Sequence, residues 1–379
     1  FTIMADPLLG LRPTVSPPVG STAAFRIANA SVNVQGIYIL ANQSVPYGVW
    51  ASSGYVQISS VVVSTAGGLG IYEAGVRISS WSAVSYSSVT VWNAHGYWLD
   101  GATRTTVSVS TALNNSAARY AVYLDGGKNN DFSVIFASNS HSAGYGLYAL
   151  AADTNTVTLG RLWGGSRGVS LDAGSDYNAI SLSTMIGNSN GLFVLGAASN
   201  TVTQSYIWGA GNGVRLDSGS NYNSISVSSM YGSGSYGLYV FGAGSNTVSQ
   251  SYMWGGSHGA SLQTGADRNS ISLSTMIGNT NYGSYAVAAD SNVVTQSYMW
   301  GGITGAYFDT GADYNAVSIS TLIGNTNYGL YAIASDSNTV TQSSLRGVIT
   351  GAYMSTGSDY NVVSLSTMIG STNYALYAL

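Results

Sequence analysis

The residues best placed to do chemistry are carboxylates that recur at one position of a repeat: Asp153 and Asp176, then Asp267, Asp290, Asp313, Asp336 and Asp359. The last five follow one another at a single constant interval. Stacked at neighbouring levels of a fold they would repel one another across about 5 Å, unless a cation, solvent or a raised pKa relieves them. The functional reading of Asp267, Asp290, Asp313, Asp336 and Asp359 is a ladder of weakly held calcium ions. The plainer reading is a turn aspartate that caps its own backbone.

Other catalytic constellations are thin, and no catalytic residue is assigned. No adjacent aspartate pair with a neighbouring histidine is present, so paired-carboxylate glycoside chemistry has no evident seat. The best remaining cluster is Asp172, Arg215 and Asp217, with a solvated polar face as its simpler explanation. His95, His141 and His258 fall at non-matching positions, which argues against a metal centre or a nucleophilic triad. Cysteine is absent, which removes disulfides, thiolate metal sites and a cysteine nucleophile. Glycine-rich runs such as GAGSN lack the following helix that a phosphate loop needs. No cofactor is expected beyond weak calcium.

Outward aromatics give the sharpest signal. Trp163, Trp208, Trp254 and Trp300 form one row, with Tyr206, Tyr252 and Tyr298 beside it, and Tyr239, Tyr285 and Tyr331 belong to another. Such bands mark a self-association surface or a stacking platform for sugar rings, or else serve only to reinforce strand stacking. A Thr-x-Thr pattern at Thr156/Thr158, Thr201/Thr203 and Thr339/Thr341 resembles the flat arrays of ice-binding solenoids, but Ala179/Ser181 and Ser224/Ser226 interrupt it.

These residues are positioned by repetition. SNTVSQSYMWGG at 245–256 returns as SNVVTQSYMWGG at 291–302. Asn155, Asn178, Asn200, Asn223, Asn246, Asn269, Asn292, Asn315, Asn338 and Asn361 are evenly spaced, except that the interval from Asn178 to Asn200 is shorter by a single position. Around each Asn the pattern is Gly-apolar-x-apolar, a small or polar turn, Asn-x-Val/Ile, then a Met, Leu or Ile before Gly. Period-2 alternation, as at Leu238 and Val240, predicts about three very short strands per period. A unit this small cannot bury its apolar face alone, so neighbouring units must stack. The predicted inward rows include Val157, Ile180, Val202, Ile225, Val248 and Ile271, and Leu162, Met185, Ile207, Met230, Met253, Met276 and Met299. The Asn row is read as a scaffold ladder in which each amide serves its neighbours and the turn. Measured from Gly to Gly, short coils alternate with coils two positions longer, so the full repeat is a pair of coils.

This pattern resembles the right-handed parallel β-helix repeat proteins of the pectate-lyase-like superfamily. The match is close over 144–379 and looser over 95–143, through GYWLDG and YAVYLDGGKNNDFSVI. The stacked units make an all-β parallel β-solenoid with about 23 residues per coil in a double repeat of about 46 residues, and the resemblance implies that it is a single-stranded right-handed parallel β-helix. Handedness comes from the resemblance alone. Enzymes of that architecture attack polysaccharides with clustered carboxylates, often with calcium or a basic arginine. That pattern is missing here, which points to a non-enzymatic bacterial surface type.

Three segments are expected in one continuous domain: an extended leader over 1–20 that covers the open end, irregular coils over 21–143, and regular coils over 144–379. All five prolines lie between Pro7 and Pro46. The missing initiator Met suggests a processed form or a fragment, and the end at ALYAL suggests a cut coil or one completed by another molecule. Only 7% of residues are charged while 45% are hydrophobic, so the chain can fold around a core while relying on Ser, Thr, Asn, Gly and Tyr for solubility. A net charge of -4 with eleven scattered cations excludes a nucleic-acid stripe. No apolar run is long enough to span a bilayer.

The expected function is an extracellular or cell-surface β-solenoid, bacterial, that assembles with itself head-to-tail or laterally into a filament, sheath or surface layer. The alternative is a carbohydrate-binding adhesin using the Tyr/Trp rows, followed by a polysaccharide lyase or hydrolase.

Overall fold

The computed structural model describes residues 1–6, 11–28, 31–41, 44–52, 54–65 and 70–379. The described residues contain strands and turns but no helix, so no helix is long and apolar enough to cross a membrane. The chain forms two compact units, Phe1–Asn188 and Ser189–Leu379. Each is a stack of parallel coils of the β-helix type, at roughly 23 residues per coil and about fifteen turns between them.

One coil of the second unit shows the plan. A first strand Thr247–Ser249, a second Tyr252–Gly255 and a third His258–Gln263 are followed by Ser270–Ser272, the first strand of the next coil. Val248, Met253, Ala260 and Leu262 point inward and are buried, as alternation requires. Each pairs in register with its counterpart one coil on: Val248 with Ile271, Met253 with Met276, Ala260 with Ser284. The first-strand step is constant, from Val248 to Ile271 to Val294. The third-strand step alternates between a short one, Leu238 to Ala260, and one two positions longer, Ala260 to Ser284. The double repeat is therefore real. Its extra residue sits between the second and third strands, where Gly256-Ser257 alternates with Asn279-Thr280-Asn281.

The corners follow from local chemistry. Between the first and second strands the chain turns on one left-handed residue, such as Gln250 at φ 48° or Leu273 at φ 49°. That conformation costs an ordinary L-residue roughly 1–2 kcal/mol and suits Gly or Asn better. A second left-handed residue, Ser245 at φ 58°, precedes the buried Asn246. At the remaining corner the repeat glycine is obligatory, because a Cβ on Gly255 would collide with the His258 carbonyl oxygen.

Two polar ladders hold the corners together. In the second unit Asn223 donates its backbone N–H (2.8 Å) and its Nδ2 (3.2 Å) to Oδ1 of Asn246, and Asn246 donates likewise to Asn269 (2.9 and 3.0 Å). Nδ2 also reaches back to a backbone carbonyl, as from Asn269 to Ala243 (3.1 Å). In the first unit Asn130 joins Asn155 in the same way, and Asn155 joins Asn178. The second ladder is serine. The Ser251 backbone N–H donates to Ser274 Oγ (3.1 Å), while Ser251 Oγ donates to the Ser249 carbonyl (2.7 Å).

The first unit is less regular. The expected leader supplies strands: Thr2–Met4 pairs with Asn33–Gln35, and Thr14–Val15 pairs with Tyr38 and Ile39. In Thr106–Asn114 and Asp131–Asn139 the first and second strands run together, bent at Val109 (φ 45°) and Val134 (φ 52°).

The ladder makes a quantitative prediction. Asn269→Ala removes the acceptor of two buried donors on Asn246, and should cost about 2–4 kcal/mol in urea unfolding. The exposed Thr247→Ala should change stability by less than about 0.5 kcal/mol.

Candidate functional site

The aspartate row is hydrogen-bonded in a way the sequence did not suggest. Oδ1 of Asp267 accepts the backbone N–H of Asp290 (2.8 Å), Asp290 that of Asp313 (2.9 Å), Asp313 that of Asp336 (2.6 Å) and Asp336 that of Asp359 (2.7 Å). Each carboxylate thus caps the next coil's backbone, not its own. Among the described residues no three His, Cys, Asp or Glu side chains gather as a metal site.

Asp172 belongs to the first unit, where Ser170 Oγ donates to it (2.8 Å). Arg215 and Asp217 belong to the second, joined by two parallel bonds of 2.7 and 2.9 Å. Asp217 is buried, so this pair is a structural clamp between strand neighbours.

The aromatic rows of the second unit lie on two faces. On the second-strand face Trp208, Tyr231, Trp254, Ile277, Trp300 and Ile323 follow in register, with Tyr206, Tyr252 and Tyr298 beside alternate members. Tyr231 touches both neighbours, at 5.3 Å from Tyr206 and 5.5 Å from Tyr252. On the third-strand face Tyr307 stacks on Tyr331 at 4.7 Å and packs tilted against Tyr285 at 5.4 Å, and Tyr239 stacks 5.0 Å from Tyr236. The Tyr285 hydroxyl donates to Asp309 (2.8 Å) and the Tyr239 hydroxyl to Gln263 (3.2 Å). Desolvation by burial, then Asp309, raises the Tyr285 pKa. Trp163 lies in the first unit, half-buried, in register with Ser138 and Ile186.

The third-strand face of the first unit carries a constellation the sequence reading missed. The strands Ala23–Ile27, Val45–Ala51, Ile71–Ile78, His95–Asp100, Val122–Asp125 and Tyr145–Leu150 place Arg26, Trp50, Arg77, Trp98, Tyr123 and Tyr148 in one outward row. Arg26 lies over the Trp50 ring at 4.8 Å, and Arg77 lies 4.4 Å from the Trp98 ring and 5.5 Å from that of Trp50. The Arg77 guanidinium is fixed by an ion pair to Asp100 and a hydrogen bond to Tyr47 Oη (2.9 Å). A cleft of about 210 Å³ opens here, lined by Trp50, Ser52, Arg77, Ser79 and Asp100 among others.

Beside this row His95 packs at 4.8 Å from Tyr123 and 5.3 Å from Tyr120, with Arg119 bridging to Glu73 (3.1 Å). The Tyr120 backbone N–H donates to His95 Nδ1 (3.1 Å). Burial, then the nearby Arg119 charge, pushes the His95 pKa down to about 3; burial pushes that of His258 down to about 4.

A family model matches residues 52–229 and again 221–375, under the description periplasmic copper-binding protein (NosD). The chain belongs to the NosD family. No curated protein matches it. Among solved structures it is similar to the A-module of mannuronan C-5 epimerase AlgE4 from Azotobacter vinelandii, at 10% identity over 95% of this chain and 87% of that one, TM-score 0.44. It is also similar to the Dettilon tailspike protein, at 13% identity and TM-score 0.39. That match covers 91% of this chain and 62% of the tailspike, less than two thirds of its length. DFA-IIIase from Arthrobacter chlorophenolicus matches at 11% identity over 81% of this chain and 68% of that one, TM-score 0.34.

The NosD description raises the question of copper, and the donors here do not gather into a site for it: among the described residues no three His, Cys, Asp or Glu side chains cluster, Met4 is exposed at the chain's start, and Nδ1 of His141 accepts the Ala143 backbone N–H (3.1 Å). Copper favours thiolate, thioether and imidazole ligands. Cysteine is absent, and Met230, Met253, Met276 and Met299 are sealed in the interior. Nδ1 of His95 is taken and a guanidinium lies 3.3 Å from its Nε2. His258 is buried, with Nδ1 against Ser257 Oγ (2.6 Å).

The buried histidines set an acid limit. Their pKa values are lower folded than unfolded, so the stability they confer is complete above pH ~6.5 and lost as pH falls toward 4 and below. Urea titrations between pH 7 and 4 should show this loss, and His258→Phe should flatten it by on the order of 3 kcal/mol.

Proposed function

We propose that this NosD-family chain works on the outer side of the cytoplasmic membrane as a polysaccharide-binding β-helix, holding a sugar chain against the third-strand face of the first unit. The observation that carries this reading is Arg77, seated against the indoles of Trp98 and Trp50 and fixed by Asp100 and Tyr47. Flat apolar rings suit the C–H faces of sugars, while the guanidinium and carboxylate beside them suit hydroxyls and ring oxygens. The cleft is small, which fits one sugar ring at a time with the rest of the chain lying along the face. Arg26, over Trp50, has no carboxylate partner among the described residues, which favours sugars carrying an acidic group.

The family's periplasmic description supports a cell-envelope location. A scaffold role is a second reading for the near-identical coils of the second unit, favoured by the exposed Val227, Leu273 and Ile319 in alternate coils.

Affinity electrophoresis through gels containing neutral or uronate-rich polysaccharides tests the binding reading. The full chain should be retarded, most strongly by an acidic glycan. Trp50→Ala with Trp98→Ala should weaken retention at least tenfold, and Trp254→Ala should leave it unchanged. Equal retardation of the double variant and the native chain would refute this site.

A further inference from the structure

The corner between the first and second strands of the second unit is an unusual surface. Its turning residue is left-handed in every coil, and in alternate coils it is aliphatic: Val227 (φ 50°), Leu273 (φ 49°), Ile319 (φ 50°) and Leu365 (φ 50°). The bend dictates the backbone conformation but not the side chain, and Asn or Gly would occupy it with less strain. These side chains also gain little from their own coil, since Val227, Leu273 and Ile319 are 50%, 51% and 54% exposed. Residues both strained and wet point to a use outside the coil.

We propose that this ridge is the contact through which two copies of the chain pack side by side. Three observations select a second copy as the occupant. First, the aliphatic residues recur every second coil, about 9.6 Å apart, with Gln250 and Gln296 between them. A partner that engages all of them must carry the same spacing, and another copy does. Second, the outward positions flanking the ridge between Gln204 and Ile323 are Ser, Thr, Ala, Val, Tyr, Trp and Ile, with no charged side chain. An ordinary surface, about a quarter charged, would lose hydration here without finding a countercharge, whereas an identical face meets it neutral to neutral. Third, each glutamine amide is both donor and acceptor, so the Gln row can pair with its own copy.

A two-fold axis across the ridge uses the same patch on both chains, and two ridges set antiparallel bring aliphatic and Gln positions into register over several coils. The contact lies in the second unit and is independent of the proposed glycan site in the first.

Sedimentation velocity of the full chain over a wide concentration range tests the proposal, together with thermal melts of Val227→Asn/Leu273→Asn/Ile319→Asn. The native chain should pass from monomer to dimer. The triple variant should dimerise at least tenfold more weakly, yet melt at the same or a higher temperature when compared as monomer, because Asn relieves the left-handed strain. A native chain that stays monomeric throughout would overturn the proposal. So would a variant that dimerises as well as the native chain, or one whose monomer melts lower, which would assign the ridge to the fold itself.

Discussion

Everything in this structure depends on how stacked corners satisfy their backbone. A coil with three short strands spends much of its length turning, and each turn is covered by the turn above and below. Its N–H and C=O groups cannot reach water. The Asn and Ser ladders resolve this by lending side-chain acceptors and donors from one coil to the next, so Oδ1 of Asn246 takes two donors from Asn223 at once. The aspartate row does the same outside, each Oδ1 holding the next coil's N–H. A wrong residue at one corner therefore costs its neighbour as well.

That constraint divides the chain's freedom. Inward positions are held to apolar residues and buried corner positions to Asn, Ser and Gly, while outward positions, including the left-handed residue between the first and second strands, are left to vary. The two units use this freedom differently. In the second, outward rows repeat every second coil, giving broad and nearly uncharged faces. In the first, the third-strand face gathers arginines, carboxylates, indoles and tyrosines around one cleft. A repeating face suits a repeating partner, and a singular one suits a site. The NosD family description names copper, but cysteine is absent, and His95, His258, Met230, Met253, Met276 and Met299 are spent on packing.

Much of the fold was legible in the sequence because the ladders demand near-invariance. The Asn row and the inward rows fall where the periodicity places them, and the alternation of short and long coils is present in the third-strand register. The serine ladder was harder to see, since serine is common throughout the chain and only its position after the left-handed residue distinguishes Ser251 or Ser274. Asn130 was missed because coil lengths change just before Asn155. The first-unit site was hidden for the same reason. Arg77 finds Tyr47 and Asp100 through register pairs at uneven sequence intervals, which cannot be counted without the strands in hand. The partner of each aspartate was misjudged because a turn read from one coil does not show the coil stacked on it.

Native-state hydrogen exchange resolved to single amides tests the central claim most directly. If the ladders hold the stack together, the backbone amides of Asn223, Asn246 and Asn269 and of Ser228, Ser251 and Ser274 will exchange only through global unfolding, as slowly as the interior strand amides of Val248 and Met253. Exchange of those corner amides by local opening, orders of magnitude faster than the strands beside them, would contradict it.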